Sequence, residues 1–452
     1  MKKEFINSRR SFIKKSALGA AGITIGGVGM SARDYGRIIG ANDRLNVAIV
    51  GLGRRLGGFI EPVARKQSNV NLLYLCDVMK SQRESAAERF SRSIDYVPSL
   101  EDDVRRIYED KRVDAIIDLT PDHWHTPGTC YAVKAGKHVY VEKPCSHNPR
   151  EGELLTELYR KYGKVIQMGN QQVSSPETIE IINEIHNGVI GVPYKAIAFY
   201  SNRRGAVPVP VKAPVPEGLD WDLWQGPAPR QDYRHNTWNY NWHWYGWTWG
   251  TAETGNNAVH ELHIARWALQ ADFPERVDVV AGKNHFIEDG WTMYDTMDVT
   301  FKFPGNKSIK WDGKSRNNYE TYGSHRGILI YGSEGSVYVT LLRGGGYKLF
   351  DRDGNLVRES WAADQWGVTE LDEQGDMSTR HVVNFFDGVR GKASLRSPID
   401  EGVKSTHLCH LANIAYRTGK GFDVNSVNGQ ALDRDALQLW SREYEPGWEP
   451  VI

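Results

Sequence analysis

Gly51 and Gly53 have the residue type and spacing of a ligand-binding turn. They follow the apolar, β-branched run 45–50, which predicts a buried parallel strand, and the pattern of residues 59–66 predicts a helix. Glycine at 51 permits a tight turn, and glycine at 53 lets the backbone approach a pyrophosphate at the helix N-terminus. The spacing therefore predicts a dinucleotide-binding turn. The third glycine of the usual pattern comes one residue late, at Gly57, so an ordinary strand–helix turn also fits.

An acidic residue at the end of the second predicted strand bears on the choice of dinucleotide. Residues 70–75 predict this strand, and Asp77 follows it, 24 residues after Gly53. A carboxylate there accepts hydrogen bonds from both ribose hydroxyls and repels a 2′-phosphate. This favours NAD over NADP, although the positive charges of Arg54 and Arg55 weaken the preference.

Polar residues also follow the third predicted strand, residues 113–119. A helix is predicted from Pro127 to Ala135, and the next strand, 138–141, runs into the triplet Glu-Lys-Pro at 142–144. Doubly wound sheets place their ligands at the carboxyl ends of strands. We therefore expect cofactor contacts from the residues after the third strand, which are Thr120, Pro121, His123, Trp124 and His125.

The order of these motifs resembles the Gfo/Idh/MocA family, named for glucose-fructose oxidoreductase and inositol dehydrogenase. The resemblance rests on the Gly-x-Gly turn, the strand-end Asp, Thr-Pro-Asp-His-Trp-His at 120–125 and Ala-Gly-Lys-His-Val-Tyr-Val-Glu-Lys-Pro at 135–144. It covers nearly the whole chain after residue 43. The variety of the family with twin-arginine leaders and Gly-Asn-Gln-Gln, here at 169–172, is the most similar.

This resemblance implies an α/β protein with an N-terminal Rossmann domain. It also implies a C-terminal α/β domain whose large, mostly antiparallel sheet commonly mediates homo-oligomers. In that family the lysine of Glu-Lys-Pro lies beside the nicotinamide and the reacting hydroxyl, and Lys143 matches it. An ammonium in a partly dry cleft hydrogen-bonds an alcohol and stabilises the developing alkoxide. The resemblance also assigns Glu142 and Asn170 to the cofactor. The alternative for Lys143 is a solvated lysine at a strand end, and the alternative for Asn170 is an ordinary turn residue.

The family's second motif, Asp-x-x-x-His-x-x-Asp at a helix start, implies that His260 is the acid–base residue. Asn256 stands in place of the first Asp and His263 in place of the second, which puts an Asp–His relay in doubt. Glu253 or Glu261 could compensate. A helix-capping role for His260 is the alternative. The two histidines are three residues apart instead of the four of His-Glu-x-x-His, so no metal site is predicted.

An aromatic stretch at 238–249 predicts a carbohydrate cleft. Ring faces stack on the C–H faces of pyranoses, and Asn, His and Arg side chains bond the hydroxyls. A buried aromatic lid or a subunit interface without ligand contact fits the same composition. The predicted substrate contacts are Tyr200, Arg203, Trp244, Asn256 and His260.

The first forty residues predict an export signal. Arg9 and Arg10, followed by Phe12 and Lys14, precede a weakly apolar run, 17–28, that is too short and too rich in glycine for a stable membrane span. This pattern resembles the twin-arginine signal, whose route moves folded proteins, and predicts a periplasmic protein with no integral membrane segment after cleavage. A disordered basic tail is the alternative.

The composition and length of the chain limit the classes of protein to which it can belong. The 452 residues carry 56 basic and 56 acidic side chains, so no net field steers nucleic acid to the protein. Such a length suggests two domains besides the signal. The four cysteines lack any Cys-x-x-Cys pair, which predicts four buried thiols instead of a disulfide framework or zinc site. They are Cys76, Cys130, Cys145 and Cys409.

The predicted organisation is a signal and linker at 1–40, a Rossmann domain at 44–165, and a substrate and oligomerisation domain at 166–452. A last helix at 404–418 is expected to pack back on the body. The run 194–199 alternates like an exposed strand, and four later runs predict further strands of the second sheet. These runs are 277–281, 299–303, 328–331 and 336–341.

The favoured function is NAD(P)-dependent oxidation of a ring hydroxyl of a sugar or glycoside. His260 would take the hydroxyl proton, Lys143 would polarise the oxygen, and hydride would pass to nicotinamide. Because no NAD pool exists outside the cytoplasm to reoxidise a free cofactor, the dinucleotide must be tightly bound. A redox-neutral NAD-dependent glycosidase and a non-catalytic sugar-binding protein of the same fold are the alternatives.

Overall fold

The computed structural model describes residues 43–341, 345–361 and 376–452, and residues 45–452 form one compact unit. The predicted export signal lies outside the described residues. None of the helices in the described part combines the length and apolar character needed to cross a membrane. All four cysteines are buried and free, and their burial confirms the prediction.

The first sheet contains six parallel strands in the order β3-β2-β1-β4-β5-β6. These are β1 (Leu45–Val50), β2 (Val70–Cys76), β3 (Ser99–Glu101), β4 (Ala115–Asp118), β5 (His138–Glu142) and β6 (Ile166–Gly169). This is the Rossmann-type sheet that the sequence predicted. Its sixth strand begins directly after the predicted domain boundary at residue 165.

Helices of different lengths cover the two faces of this sheet. A 3₁₀ turn at Arg54–Phe59 precedes α1, which is shorter than the predicted helix. The α-helices of this half are α1 (Ile60–Ala64), α2 (Lys80–Ser91), α3 (Val104–Glu109), α4 (Asp122–Lys134), α5 (Pro149–Tyr162) and α6 (Pro176–His186). Alternate residues of β1 enter two different core clusters, as expected for a strand buried on both faces.

Helix α4 begins five residues before the predicted start at Pro127. Proline lacks the N–H that would bond the carbonyl four residues earlier, which is why the sequence suggested a helix start there. In the structure the Nη2 group of Arg442 donates to that carbonyl, of His123, at 2.6 Å. A distant side chain therefore replaces the missing bond and lets the helix continue through the proline.

The second sheet has nine strands in the order β14-β13-β12-β11-β7-β10-β9-β8-β15. It is mostly antiparallel, as predicted, and β7 and β10 form its parallel pair. The strands are β7 (Pro193–Ser201), β8 (Arg276–Gly282), β9 (Thr296–Phe303), β10 (Lys307–Lys314), β11 (Arg326–Gly332), β12 (Gly335–Thr340), β13 (Gly346–Asp351), β14 (Leu356–Trp361) and β15 (Phe422–Asp423).

The prediction of an exposed strand at 194–199 is wrong. Strand β7 lies at the middle of the second sheet, and Ala196, Ala198 and Phe199 are buried. Its polar residues come early in the strand, and they produced the alternation that suggested an exposed face. Burial here is decided by the strands that pair on both sides.

The remaining α-helices follow β7 in the chain. They are α7 (Trp221–Gln225), α8 (Val259–Leu269), α9 (Met377–Val389), α10 (Ile399–Thr418) and α11 (Arg434–Gln438). Helix α10 starts earlier than predicted and packs against α5, α8 and β8, and α11 follows it, so it is not the last helix. Helix α9 places Val382, Phe385 and Phe386 in the core cluster that contains residues of β1.

Replacing Phe385 with alanine should therefore destabilise the dinucleotide-binding half, although the residue lies late in the chain. The ring is fully buried, so Phe385→Ala should lower the free energy of unfolding by about 3–5 kcal/mol. Urea denaturation followed by tryptophan fluorescence measures the loss. The matched change at half-exposed Phe286 should cost less than about 1 kcal/mol. Equal losses at both positions would contradict the placement of α9.

Candidate active site

A cavity of 420 Å³ opens at the carboxyl ends of β1, β2, β4 and β5. This is the edge where a doubly wound sheet binds its ligand. Most of the residues predicted to bind a cofactor line this cavity. They are Gly51, Gly53, Arg54, Arg55, Asp77, Thr120, Pro121, Trp124, His125, Glu142 and Lys143.

The two glycines of the first turn have different roles. Gly51 has a φ of +84°, and a Cβ at this position would lie 2.7 Å from the carbonyl carbon of Leu119. Gly53 has an ordinary φ of −76°, and a Cβ there would meet no atom within 4 Å. The first glycine therefore permits the turn itself. The second leaves open space over the backbone, as the approach of a pyrophosphate requires.

Asp77 joins the glycine turn to the end of β2. Its Oδ2 atom accepts a hydrogen bond from the Leu52 N–H at 2.7 Å, and Oδ1 accepts one from the Met79 N–H at 2.8 Å. Burial raises the pKa of this carboxyl, against the effect of the two backbone bonds. The side chain thus lies where the sequence predicted a ribose-binding carboxylate.

His125 connects the ends of two neighbouring strands. Its Nε2 atom is 2.7 Å from the Thr120 carbonyl oxygen, and its Nδ1 atom is 2.6 Å from that of Pro144. The cavity wall at β4 is thereby linked to the segment that carries Lys143.

Lys143 bonds across the cavity wall to Asn256. Its Nζ donates to the Asn256 backbone oxygen at 2.6 Å and lies 3.3 Å from the side-chain oxygen. Burial lowers the pKa of Lys143, although the charges of Glu142 and Asp122 oppose this effect. An ammonium of lowered pKa at the cavity edge suits donation to an alcohol oxygen.

Glu142, the residue before Lys143, forms hydrogen bonds of its own. Its Oε1 accepts bonds from Arg55 Nε at 2.6 Å and from Gln171 Nε2 at 2.9 Å. Burial acts to raise the pKa of Glu142, but the positive charges of Arg55 and Lys143 outweigh it and hold the pKa below its ordinary value. Glu142 is therefore a carboxylate that neutralises Arg55.

His260 and Asn170 contact each other outside the residues that line the cavity. The His260 Nδ1 atom donates to Asn170 Oδ1 at 2.9 Å, which leaves Nε2 unprotonated. Burial, together with the positive charges of Arg326 and Lys143, lowers the pKa of His260 well below its ordinary value. The ring is therefore neutral, in the state that a proton acceptor needs.

The structure places the two glutamates that the sequence left open. Glu253 accepts bonds from Asn256 Nδ2 at 3.3 Å and Asn257 Nδ2 at 2.7 Å, and it forms an ion pair with Arg204 at 3.2 Å. Glu261 instead pairs with Arg326 at 2.6 Å. Glu253 thus holds the residue that bonds Lys143, and neither glutamate forms a hydrogen bond with His260 among the described residues.

Besides His260, three predicted substrate contacts do not line the cavity. Trp244 is 2% exposed and stacks on Trp291, with ring centroids 3.9 Å apart. Tyr200 is buried and accepts a bond from Asn202 at 2.7 Å. Arg203 is exposed. The neighbouring Arg204 points inward instead, because alternate residues of an extended chain face opposite sides. Of the five predicted substrate residues, only Asn256 lines the cavity.

A segment of the second domain covers the cavity. We call residues 218–243 the strap. Its backbone bonds to the chain after Asp77, through Lys80 N to the Gly218 oxygen at 2.9 Å and Asp220 N to the Val78 oxygen at 3.1 Å. Strap residues contribute to the cavity lining, and the sequence analysis did not assign them to the cofactor. They are Leu223, Trp224, Trp238, Asn239, Tyr240, Trp242 and His243.

Helix α4 anchors the strap. The Trp224 carbonyl oxygen accepts bonds from Trp124 Nε1 at 3.0 Å and lies 2.9 Å from His123 Nε2. His123, predicted to contact the cofactor, is fully buried and does not line the cavity. Aromatic rings also pack on one another here, with Trp221 stacked on Trp224 at 4.8 Å. The carbohydrate cleft expected at 238–249 stays a prediction.

Residues 45–170 match the family described as an oxidoreductase family with an NAD-binding Rossmann fold, GFO_IDH_MocA. This part of the chain is similar to the Rossmann domain of that family. The chain is 27% identical over 161 residues to D-glucoside 3-dehydrogenase of Escherichia coli, an alignment that covers 36% of this chain and less than half, 44%, of that protein. Inositol 2-dehydrogenase of Rubrobacter xylanophilus is 21% identical over 88% of this chain and 99% of its own length.

The same fold occurs in a solved structure of similar extent. Aldose-aldose oxidoreductase from Caulobacter crescentus, complexed with glycerol, superposes with a TM-score of 0.62 at 18% identity, over 84% of this chain and 100% of that chain. These likenesses confirm the predicted combination of a Rossmann domain and a second, mostly antiparallel domain. The family match and the named relatives support an oxidoreductase.

The two glycines of the first turn should respond differently to alanine. Gly51→Ala should lower the free energy of unfolding by at least about 1–3 kcal/mol, since it adds a strained φ and a backbone clash. Gly53→Ala should change it by less than about 0.5 kcal/mol, yet weaken NAD binding about tenfold, because the methyl group occupies the pyrophosphate approach. Thermal unfolding and NAD titration separate the two effects. Unchanged NAD affinity in Gly53→Ala would contradict the assignment.

Proposed function

We propose that this protein is an exported NAD(P)-dependent oxidoreductase that oxidises a ring hydroxyl of a sugar or glycoside. The observation that carries the proposal is the half-buried Lys143 ammonium. It lies on the wall of the dinucleotide cavity and is bonded to neutral oxygens of Asn256. The described residues fit a dinucleotide, because the backbone at Gly53 is open to a pyrophosphate and Asp77 follows β2. Bound nicotinamide supplies the hydride acceptor.

The protein's part in the chemistry is to hold the hydroxyl and remove its proton. Lys143 donates to the hydroxyl oxygen and stabilises negative charge there, since its ammonium lies in a partly dry wall. His260 takes the proton at Nε2, because Asn170 binds the Nδ1 proton and the lowered pKa keeps the ring neutral. Glu253 keeps Asn256 in place and so positions Lys143.

A neutral substrate fits the charges around the site. Each of three arginines near the site forms an ion pair with its own glutamate: Arg55 with Glu142, Arg204 with Glu253, and Arg326 with Glu261. Because each arginine is already paired, it attracts a carboxylate or phosphate on a ligand less strongly. Hydroxyl-rich ligands such as sugars and glycosides need no such charge.

The strap supports tight binding of the cofactor. It is bonded through its backbone to the chain after Asp77, and Arg54 lies over the Tyr240 ring at 4.4 Å, which joins the glycine turn to the strap. A dinucleotide beneath it leaves only when these contacts open. Such retention suits a protein outside the cytoplasm, where the hydride must return to a second sugar, another acceptor or the same substrate.

Export and self-association complete the proposal. The leader at 1–40, with its paired arginines, favours the twin-arginine route and a periplasmic location. Homo-oligomer formation is supported by edge strand β14, which exposes the apolar side chains of Leu356, Val357 and Trp361. Exposed apolar side chains on an edge strand favour pairing with another chain.

Replacing Lys143 with alanine should abolish turnover while leaving the nucleotide bound. We expect kcat to fall by about 10²–10³ or more, because one donor to the developing alkoxide is lost. The measurement is reduction of nicotinamide by a panel of glycosides, together with the cofactor content of the purified protein.

Lys137→Ala is the matched control. This lysine precedes the other end of β5, and its Nζ donates to the Asp110 oxygen at 2.6 Å, away from the cavity. Its variant should turn over normally. Normal turnover in the Lys143→Ala variant would remove the catalytic assignment, and wild-type protein that takes up no NAD would remove the oxidoreductase proposal.

Tyr240→Ala should release the cofactor faster. The substitution removes the ring beneath Arg54 and the hydroxyl that Arg204 bonds at 3.2 Å. We expect the rate of NADH release to rise about tenfold, corresponding to about 1.4 kcal/mol. Stopped-flow fluorescence with a trapping agent measures it, and Tyr245→Ala, two residues beyond the strap and not lining the cavity, is the control. Equal release rates in the two variants would show that this contact does not retain the cofactor.

A further inference from the structure

One histidine of the strap lies in the cavity wall with a ring nitrogen that no described residue bonds. His243 lines the cavity together with Lys143 and Asn256, and it is 8% exposed. Its Nδ1 atom is buried and has no hydrogen-bond partner among the described residues. Buried polar groups in folded proteins are normally bonded, so an unpartnered one in a ligand cavity points to a bond made by the ligand.

Packing fixes the orientation of this ring. The ring centroid of Trp242 is 3.6 Å from that of His243, and those of Tyr240 and Trp244 are 4.9 Å and 5.3 Å away. Gly250 permits the backbone to approach closely, because a Cβ there would lie 2.9 Å from the His243 Cα. The imidazole is therefore held in place by neighbouring rings, and its hydrogen-bonding capacity stays available.

The surroundings also determine the charge of the ring. Burial lowers the pKa of His243 well below its ordinary value, and the positive charges of Lys143 and Arg204 lower it further. A neutral imidazole has one nitrogen that donates and one that accepts. A hydroxyl group has the same pair of capacities, so it is the best partner for this ring.

We propose that His243 binds a hydroxyl of the substrate next to the one that Lys143 contacts, and so determines which sugar or glycoside is accepted. The inference rests on the proposed function and names a residue that selects the substrate. A site built to bond a hydroxyl discriminates strongly against an analogue that lacks it, because the buried partner is left unbonded. Discrimination should therefore appear at one particular position of the sugar ring.

The test compares wild-type protein with His243→Phe and His243→Asn variants. The probes are methyl glucopyranoside, galactopyranoside and mannopyranoside, each with its monodeoxy analogues, and nicotinamide reduction gives kcat/KM. In wild-type protein one deoxy position should lower kcat/KM about tenfold or more. In His243→Phe the parent glycoside should lose a similar factor, and the same deoxy analogue should lose nothing further. His243→Asn should recover part of the loss, because an amide also donates and accepts.

The experiment has two controls, which are the affinity for NAD and a matched variant. NAD affinity and the unfolding temperature should be unchanged in the His243 variants. His235→Phe makes the same substitution on the exposed part of the strap and should leave every kcat/KM value at its wild-type level.

Two different failures can be told apart. If wild-type protein oxidises a glycoside and His243→Phe shows the wild-type pattern across the deoxy series, the role of His243 is wrong and the proposed function stands. The role is also wrong if His243→Phe mainly weakens NAD binding, since the ring would then contact the cofactor. If wild-type protein oxidises none of the glycosides, both the proposed function and this inference are overturned.

Discussion

The bond between Lys143 and Asn256 is the interaction on which the site depends. It joins the carboxyl end of β5, in the parallel sheet, to the π-helical turn Thr254–Ala258 that precedes α8. The acceptors are neutral oxygens, so they satisfy the ammonium without adding a negative charge, and burial lowers the pKa of Lys143. An aspartate at 256, as the family pattern has, would add a charge that favours the protonated lysine. The departure at Asn256 is thus compatible with a lysine tuned by burial.

Asn256 in turn depends on Glu253, whose buried charge is neutralised by Arg204. A buried carboxylate without a cation would destabilise the fold, so this pair is a condition for the geometry at Lys143. Arg204 also bonds the Tyr240 hydroxyl on the strap. The residues that hold Lys143 and the segment that covers the cavity therefore belong to one connected network.

Sequence reasoning succeeded where the signal is local. A β-branched run followed by Gly51 and Gly53 predicts a strand and a tight turn, and the structure has both. Lys143 follows a buried strand, and parallel strands bring their carboxyl ends to one edge, so its presence in the cavity was predictable. The opposite directions of Arg203 and Arg204, which follow the end of β7, were not predictable, because the direction of Arg204 depends on its ion pair with the distant Glu253.

Contacts between distant parts of the chain decided the rest. The sequence by itself determined the strands of the parallel sheet, the glycine turn and the strand-end lysine, because each depends on neighbours within a few residues, and it carried the resemblance to the Gfo/Idh/MocA family. Tertiary structure alone decided that Arg442 lets α4 run through Pro127, and that Trp244 is core while His243 faces the cavity. The physical reason is that burial and partner choice depend on what packs against a residue, and those groups lie up to hundreds of residues away in the chain.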